Sequence, residues 1–395
     1  MTDFAATRTL FHLPEGMIYL DGNSLGPLPK AAQARLTQTL ADEWGEMLIT
    51  GWNKAGWMAQ ATALGDRIAP LIGAEPGSVT CGDTLSIKVY QALAAALDMT
   101  DRKIILSDTG NFPSDLYMAQ GLIGALDQGH ELVTVAPERI AETLSEDVGV
   151  LMLTEVDYRS GRKHDMAALT KAAQALGIIT IWDLAHSAGA LPVHLSTCNA
   201  DFAVGCTYKY LNGGPGAPAF IYVAPRHVEQ VRPALSGWLG HEAPFAFDAD
   251  YRPGGGIERM RVGTPPILQF AALDAALDAW EGVDLHDLRA ASIALSERFI
   301  AEVEARTDLV LASPRVAEQR GSQVSFAHPH GYAVMQALIA RGVVGDFRAP
   351  NLIRFGFTPL YLSEEEVVRA AEILAEILES GSWDRPEFHA RSAVT

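Results

Sequence analysis

The chain of 395 residues contains only three cysteines, Cys81, Cys198 and Cys206. No two of them have zinc-site spacing, and three cannot build a disulfide framework, so no metal centre is expected and a reducing compartment is. Basic residues are also scarce: 30 Lys and Arg stand against 48 Asp and Glu, a formal charge of −18. Nucleic acids and anionic membranes attract basic surfaces, so neither is expected as a partner. No apolar run approaches the ~20 residues of a membrane-spanning helix. The N-terminus, Met-Thr-Asp-Phe-Ala-Ala-Thr-Arg, lacks a basic segment followed by an apolar one. No secretory leader is expected from it, and a cytoplasmic location follows as the expectation. Internal repeats and low-complexity tracts are absent.

What is present is a globular composition. Hydrophobic residues make up 48% and charged residues 20%. That profile fits a sizeable core, and the length suggests a large domain with a smaller companion.

The reading turns on residues 176 to 216. Ile178 to Trp182 is a short, β-branched apolar run and predicts a buried parallel strand. Asp183 sits at its C-terminal end, where open α/β sheets present groups to ligands. Phe202 to Thr207 predicts a second strand that delivers Lys209 into a glycine-rich loop, Gly213-Gly214-Pro215-Gly216. A carboxylate and a lysine at adjacent strand ends suit pyridoxal 5'-phosphate. The lysine forms a Schiff base with the aldehyde, and the carboxylate keeps the pyridine nitrogen protonated. Taken alone, the two residues fit an ordinary strand-end aspartate and a surface lysine equally well. Tyr208 before the lysine and the glycines after it favour the cofactor.

The rest of the chain supplies a setting. Strands are expected at 78–81, 103–106, 132–135 and 148–154, with helices at 61–69, 87–97, 116–125 and 165–176. This β–α alternation from about Gly65 to Val223 indicates an α/β domain with a doubly wound, mostly parallel sheet. The turn Gly82-Asp83-Thr84-Leu85-Ser86 opens an apolar helix, a favourable place for a phosphate. Simple capping by Thr84 or Ser86 is the plainer explanation of the same residues. Phe112, in a loop after a strand, is placed to stack on a pyridine ring. Lys30 to Leu48 predicts one helix, and Trp52 and Trp57 a loop with exposed aromatics. Val228 to Leu235 reads as helical. Beyond Arg261–Pro266 the spacing predicts helices at 267–280, 285–305, 332–341 and 364–378, with strands at 309–311, 323–327 and 352–357. Residues 61–265 are therefore expected as the large domain. Residues 266–395 form a smaller α+β domain that the segment 1–60 joins.

Six motifs in this order resemble the kynureninases, pyridoxal-phosphate enzymes of the aspartate-aminotransferase fold (fold type I). They are Gly22-Asn23-Ser24-Leu25-Gly26, Phe112-Pro113-Ser114-Asp115, Asp183-Leu184-Ala185-His186, Tyr208-Lys209-Tyr210-Leu211-Asn212, Gly237-Trp238-Leu239-Gly240-His241 and Thr264-Pro265-Pro266. The resemblance, to the bacterial type, spans nearly the whole chain. It implies hydrolysis of L-kynurenine to anthranilate and L-alanine in tryptophan breakdown. It makes Lys209 the cofactor lysine, Asp183 the partner of the ring nitrogen and Tyr208 a proton relay that also reaches the phosphate. Leu85 and Ser86 take the phosphate-binding helix start, and Phe112 the ring face. Pro113, Ser114, Asp115, Thr154 and His186 take further cofactor positions. Trp238 and Thr264 match residues that approach the phosphate from a neighbouring subunit, which implies a homodimer with shared sites. Asn23, Trp52 and Arg354 fall on substrate positions, Arg354 on the one that binds the α-carboxylate. Lys88 departs from the pattern, where the family often has Asn.

The resemblance also bears on substrate choice. The animal-type enzymes favour 3-hydroxykynurenine and carry His and Asn where this chain aligns Trp52 and Thr264. Trp offers a flat apolar wall, so L-kynurenine is expected as the better substrate and the hydroxylated one as slower. Other activities on the same fold remain as alternatives. A cysteine desulfurase or selenocysteine lyase usually has His before the lysine and a late nucleophilic Cys. Here Tyr208 stands before it and no Cys follows Cys206. An aminotransferase would need a keto acid. A regulatory protein on this fold would carry a DNA-binding module, and no basic helix is visible for one.

Overall fold

The structure, a computed structural model, describes residues 1–391. Its centre is a seven-stranded sheet. In spatial order the strands are Val79–Cys81, Phe220–Val223, Phe202–Gly205, Ile179–Asp183, Val148–Thr154, Ile104–Asp108 and Glu131–Val135. Five neighbouring strands run parallel, from Phe202–Gly205 to Glu131–Val135. Phe220–Val223 runs antiparallel to both its neighbours. Val148–Thr154 is buried along its whole length, as a central parallel strand covered on both faces must be. Helices Leu85–Asp98 and Pro113–Leu126 cover one face, where Val89, Leu93, Ala96 and Leu122 meet Ile105, Val150, Ile181 and Val204.

A second, four-stranded antiparallel sheet has the order Val310–Leu311, Gln323–Ala327, Leu352–Gly356, Asp346–Arg348. Helices Leu285–Arg306 and Glu364–Ser380 pack together beside it, around Phe299, Phe326, Phe355 and Leu374. The long helices have strong starts. Asp284 caps the first, and Ser363 with Glu366 forms a capping box on the second. The N-terminal strand Ile18–Tyr19 pairs in parallel with Val343–Val344, so the chain's beginning is stitched to this second unit.

Several expectations shift. The Lys30–Leu48 helix is α-helical only over Lys30–Gln38 and continues as wider π-helical turns over Thr39–Glu46. The expected Trp52 loop contains a short helix, Gly51–Lys54. Its neighbour Trp57 is buried and donates its indole N–H to Glu43 at 2.9 Å. Val228 to Leu235 is not a helix. The helix there is Pro225–Val228, and the Arg259 guanidinium takes the carbonyls of Glu229 and Val231. Pro233 has no N–H to continue the ladder. Two helices begin earlier than their apolar periodicity, at Leu85 and at Pro113. Both differences bear on the site.

Candidate active site

Asp183 ends its strand in register with Thr154 on the neighbouring one. It is buried, and its Oδ1 accepts the Ala185 N–H at 2.8 Å. Lys209 follows the Phe202–Gly205 strand after three further residues. The chain there is held by close approach: Gly26 donates its N–H to the Tyr208 carbonyl at 2.8 Å. A Cβ at Gly26 would lie 2.5 Å from the Lys209 carbonyl oxygen, so only glycine fits. This packs the Gly-Asn-Ser-Leu-Gly motif against the lysine loop.

Lys209 Nζ meets His186 Nε2 at 3.0 Å. His186 is in turn fixed by Gln323, whose Oε1 lies 2.9 Å from Nδ1. The amide orientation follows from its other end, where Nε2 donates to the carbonyls of Asp157 and Tyr158. Nδ1 therefore carries the proton, and Nε2 offers its lone pair to the lysine. Burial, with the charges of Lys209 and Arg354, holds the imidazole well below its usual range, so it stays neutral.

Asp115 lies in the first turn of the helix that starts at Pro113. It is buried against Asp183, and its Oδ2 has no hydrogen-bond partner among the described residues. Burial and the Asp183 charge push its carboxyl far up. Burial raises Asp183 too, while Lys209, the Ala185 N–H, Asp115 and Thr154 pull it back. Two adjacent buried carboxylates cannot both ionise, so the pair shares a proton, with the stronger upward push on Asp115.

Phe112 is the N-cap residue of the same helix and is 40% exposed. Its ring stands edge-on to Tyr158 with centroids 5.1 Å apart, leaving a face open. Asn111 anchors it. The Asn111 side chain accepts the Phe112 N–H at 2.7 Å and the Thr154 hydroxyl, and donates to Ser107.

A cavity of about 320 Å³ lies between the two helix starts and the Tyr208 loop; Asp183, Thr154, His186 and Lys209 adjoin these elements and do not line it. Leu85, Ser86, Phe112, Ser114, Asp115 and Tyr208 contribute to its wall. Thr84 is the N-cap residue of the 14-residue helix Leu85–Asp98, and its side chain makes no capping bond. The first N–H groups are thus open toward the cavity, where the Ser86 and Ser114 hydroxyls meet at 2.9 Å. The proximity of Cys206 and burial push the Tyr208 phenol up, so it stays protonated. An anion-seeking helix start, an open aromatic face, a buried strand-end carboxylate and a lysine fit a pyridoxal phosphate. Lys88 sits one turn into that helix, buried, with Nζ 3.2 Å from Asp83 and 2.9 Å from Gln91.

Arg354 is 1% exposed and lies under the Ser24 hydroxyl and the Tyr158 carbonyl. Asn23 is fully buried, packed against the backbone of Gly356. Trp52, Trp238 and Thr264 do not line the cavity. Trp52 packs edge-on to Trp57 with ring centroids 5.9 Å apart. Trp238 is 39% exposed and rests on Phe245, and Thr264 is exposed. Sequence reasoning missed Asn111, Gln323, Asp346 and Arg348, and did not give Ser24 a role. The Asn-Phe-Pro run at a helix start was a usable signal for Asn111. Nothing local marked the others.

No helix among the described residues is long and apolar enough to cross a membrane. Curated relatives share the whole length. The kynureninase of Burkholderia pseudomallei (strain 1106a) is 50% identical over 99% of this chain and 96% of its own. That of Pseudomonas fluorescens is 49% identical over the same shares. Solved structures share the fold at lower identity. A cysteine desulfurase from Thermococcus onnurineus NA1 matches with a TM-score of 0.82 at 19% identity, over 96% of this chain and 99% of the other. A mutant of C-DES, with glycine covalently linked to its PLP cofactor, matches with a TM-score of 0.81 at 20% identity, over 95% of this chain and 100% of the other. The kynureninase C-terminal domain model matches residues 288–374. With half of all positions identical across nearly the full length of both chains, this chain belongs to the kynureninase family.

Proposed function

We propose that this protein hydrolyses the Cβ–Cγ bond of L-kynurenine, using pyridoxal 5'-phosphate. The observation that carries this is the Lys209–His186–Gln323 chain beside the Asp115–Asp183 pair, in a chain 50% identical to named kynureninases. In the net reaction, water adds a hydroxyl to Cγ, giving anthranilate. Cβ takes a proton, giving alanine. The cofactor supplies a carbonyl that binds the substrate amine and a ring that accepts electrons from its α-carbon.

The residues divide that work. Lys209 Nζ anchors the cofactor and then takes the proton from the substrate α-carbon. The Asp183 carboxylate holds a proton on the ring nitrogen, and Asp115 keeps Asp183 in place by sharing its own. Phe112 covers one ring face. The open N–H groups at Leu85 and Ser86, with Ser114, hold the phosphate. Pro113 fixes the start of the helix that carries Ser114 and Asp115. Thr154 and His186 hold the cofactor edge. The Tyr208 phenol, still protonated at neutral pH, delivers the proton to Cβ. Arg354 binds the substrate α-carboxylate, and buried Asn23 shapes the loop that presents Ser24.

The working form is a homodimer. A single chain leaves Leu28, Leu40, Trp44, Leu48, Ile49, Trp238, Phe245 and Phe247 exposed, side chains that a partner subunit would cover. Trp238 and Thr264 then serve the partner's phosphate site, and Trp52 the substrate ring. Residues 61–265 form the cofactor-binding domain, and residues 266–395 with 1–60 the smaller one. The enzyme works in the cytoplasm. Incubation with L-kynurenine and no keto acid tests the reaction, with equimolar anthranilate and alanine expected. Turnover only after a keto acid is added would make it an aminotransferase.

A further inference from the structure

Asp346 is fully buried and stands directly across from Arg354 in the antiparallel pair Asp346–Arg348 with Leu352–Gly356. Arg348, two residues on, shares its face. The one Asp346 carboxylate serves both guanidinium groups. Oδ1 accepts Arg354 Nε at 2.7 Å, and Oδ2 accepts Nη2 of Arg354 and Nη2 of Arg348, the latter at 2.6 Å. The Ser24 hydroxyl donates to Oδ2 at 2.8 Å and receives both arginines, Arg354 at 2.9 Å and Arg348 at 3.2 Å.

An arginine has five N–H groups. Arg354 directs four hydrogen bonds to Asp346, Ser24 and the Tyr158 carbonyl, which leaves one. It cannot grip a carboxylate with two parallel bonds while so engaged. Arg348 is the opposite case. Its side chain is 35% exposed, and Nη2 makes both of its hydrogen bonds among the described residues. Its Nε is buried without a partner. The Tyr158 carbonyl that takes Arg354 also takes the Gln323 amide that fixes His186, which sets the two arginines beside the surroundings of Lys209, and the Arg348 charge is felt at His186 and Tyr208.

Charge points the same way. Two guanidinium groups on one carboxylate leave one positive charge in excess. Asp21 also interacts with this cluster, and burial and the Asp346 charge push its carboxyl up to about 7, against the pull of Arg354, Ser24 and Arg348. Below that pH the cluster carries a net positive charge that an anion would complete.

We propose that Arg348 is the second arm of the substrate-carboxylate site. The α-carboxylate bridges the remaining Arg354 N–H and the open donors of Arg348, and Asp346 is the positioning residue that presents both. This rests on the amino-acid substrate reading above. The simpler role for Arg348, neutralising Asp346, gives a different result in the test.

The test compares L-alanine, the product that keeps the α-carboxylate, with L-alaninamide, which lacks its charge. Calorimetric dissociation constants are measured on the holoenzyme of wild type, Arg348→Gln, Arg348→Lys and Asp346→Asn. Arg348→Gln is expected to weaken L-alanine binding ~10-fold or more, while L-alaninamide changes by less than about threefold. Arg348→Lys recovers part of the preference, since charge returns without the fork. Asp346→Asn lowers the preference as well. The half-exposed Arg348 variants carry the test should Asp346→Asn not fold. If Arg348→Gln keeps the wild-type preference for L-alanine, the inference is overturned and the substrate reading stands. A wild type that binds neither ligand overturns both.

Discussion

Glu155 offers a direct test of how the strand ends around the site are held. It follows the Val148–Thr154 strand and is 4% exposed. Its Oε2 has no hydrogen-bond partner among the described residues. Burial pushes its carboxyl from the ordinary 4.5 up to about 7; Ser187, Lys163 and Arg289 offset this only in part. The unfolded chain therefore releases this proton near 4.5, and the native chain near 7. Between those values the native state holds more protons, so stability falls as pH rises, and the loss is complete above roughly pH 8. At ~1.4 kcal/mol per pH unit the loss comes to about 3 kcal/mol. Glu155→Gln removes the ionisation and keeps the shape. Urea unfolding of both proteins, at one protein concentration and at about pH 5.5 and about pH 8.5, reads the difference. The variant should lie within about 1 kcal/mol of wild type at the lower pH and gain about 2–3 kcal/mol over it at the higher. Parallel pH dependence of the two proteins would refute the reasoning.

Two further outcomes follow from the proposed site. Lys209→Ala and Trp238→Ala chains, each inactive or weak alone, should recover part of the activity when mixed, because one composite site per dimer is then intact; a fully active monomer in sedimentation experiments would end the shared-site reading. Wild type should favour L-kynurenine over 3-hydroxykynurenine in kcat/KM, by up to about 100-fold, since an apolar wall rejects an added hydroxyl only modestly. Trp52→His with Thr264→Asn should narrow or reverse that preference; no change would show that these positions do not set it.

The chemistry at the strand ends was legible because two local signals coincide there. A short apolar run marks each strand, and a charged residue lies just beyond it, Asp183 directly after Trp182 and Lys209 two residues after Thr207. Helix starts were read two or three residues late, because apolar periodicity begins after the first turn. At the second of them Phe112 stands at the cap without a side-chain capping bond, and Pro113 takes the first helical position. That displacement hid the placement of Asp115 against Asp183. Asp346 and Arg348 were not legible at all. Their strand has three residues, too few for a pattern, and their meaning depends on the antiparallel register that sets Asp346 against Arg354. Gln323 reads as one polar residue in an apolar strand until His186, 137 positions earlier, is placed beside it. Long-range pairing carried this information, and no local window contains it.

The central claim is that Lys209 is the residue on which the cofactor and the reaction are built. Borohydride reduction of the holoenzyme, followed by peptide mapping, tests it most directly. The label should map to Lys209 alone, and kynurenine cleavage should disappear in step with labelling. A label on buried Lys88 or on Lys163, with Lys209 unmodified, would contradict the account.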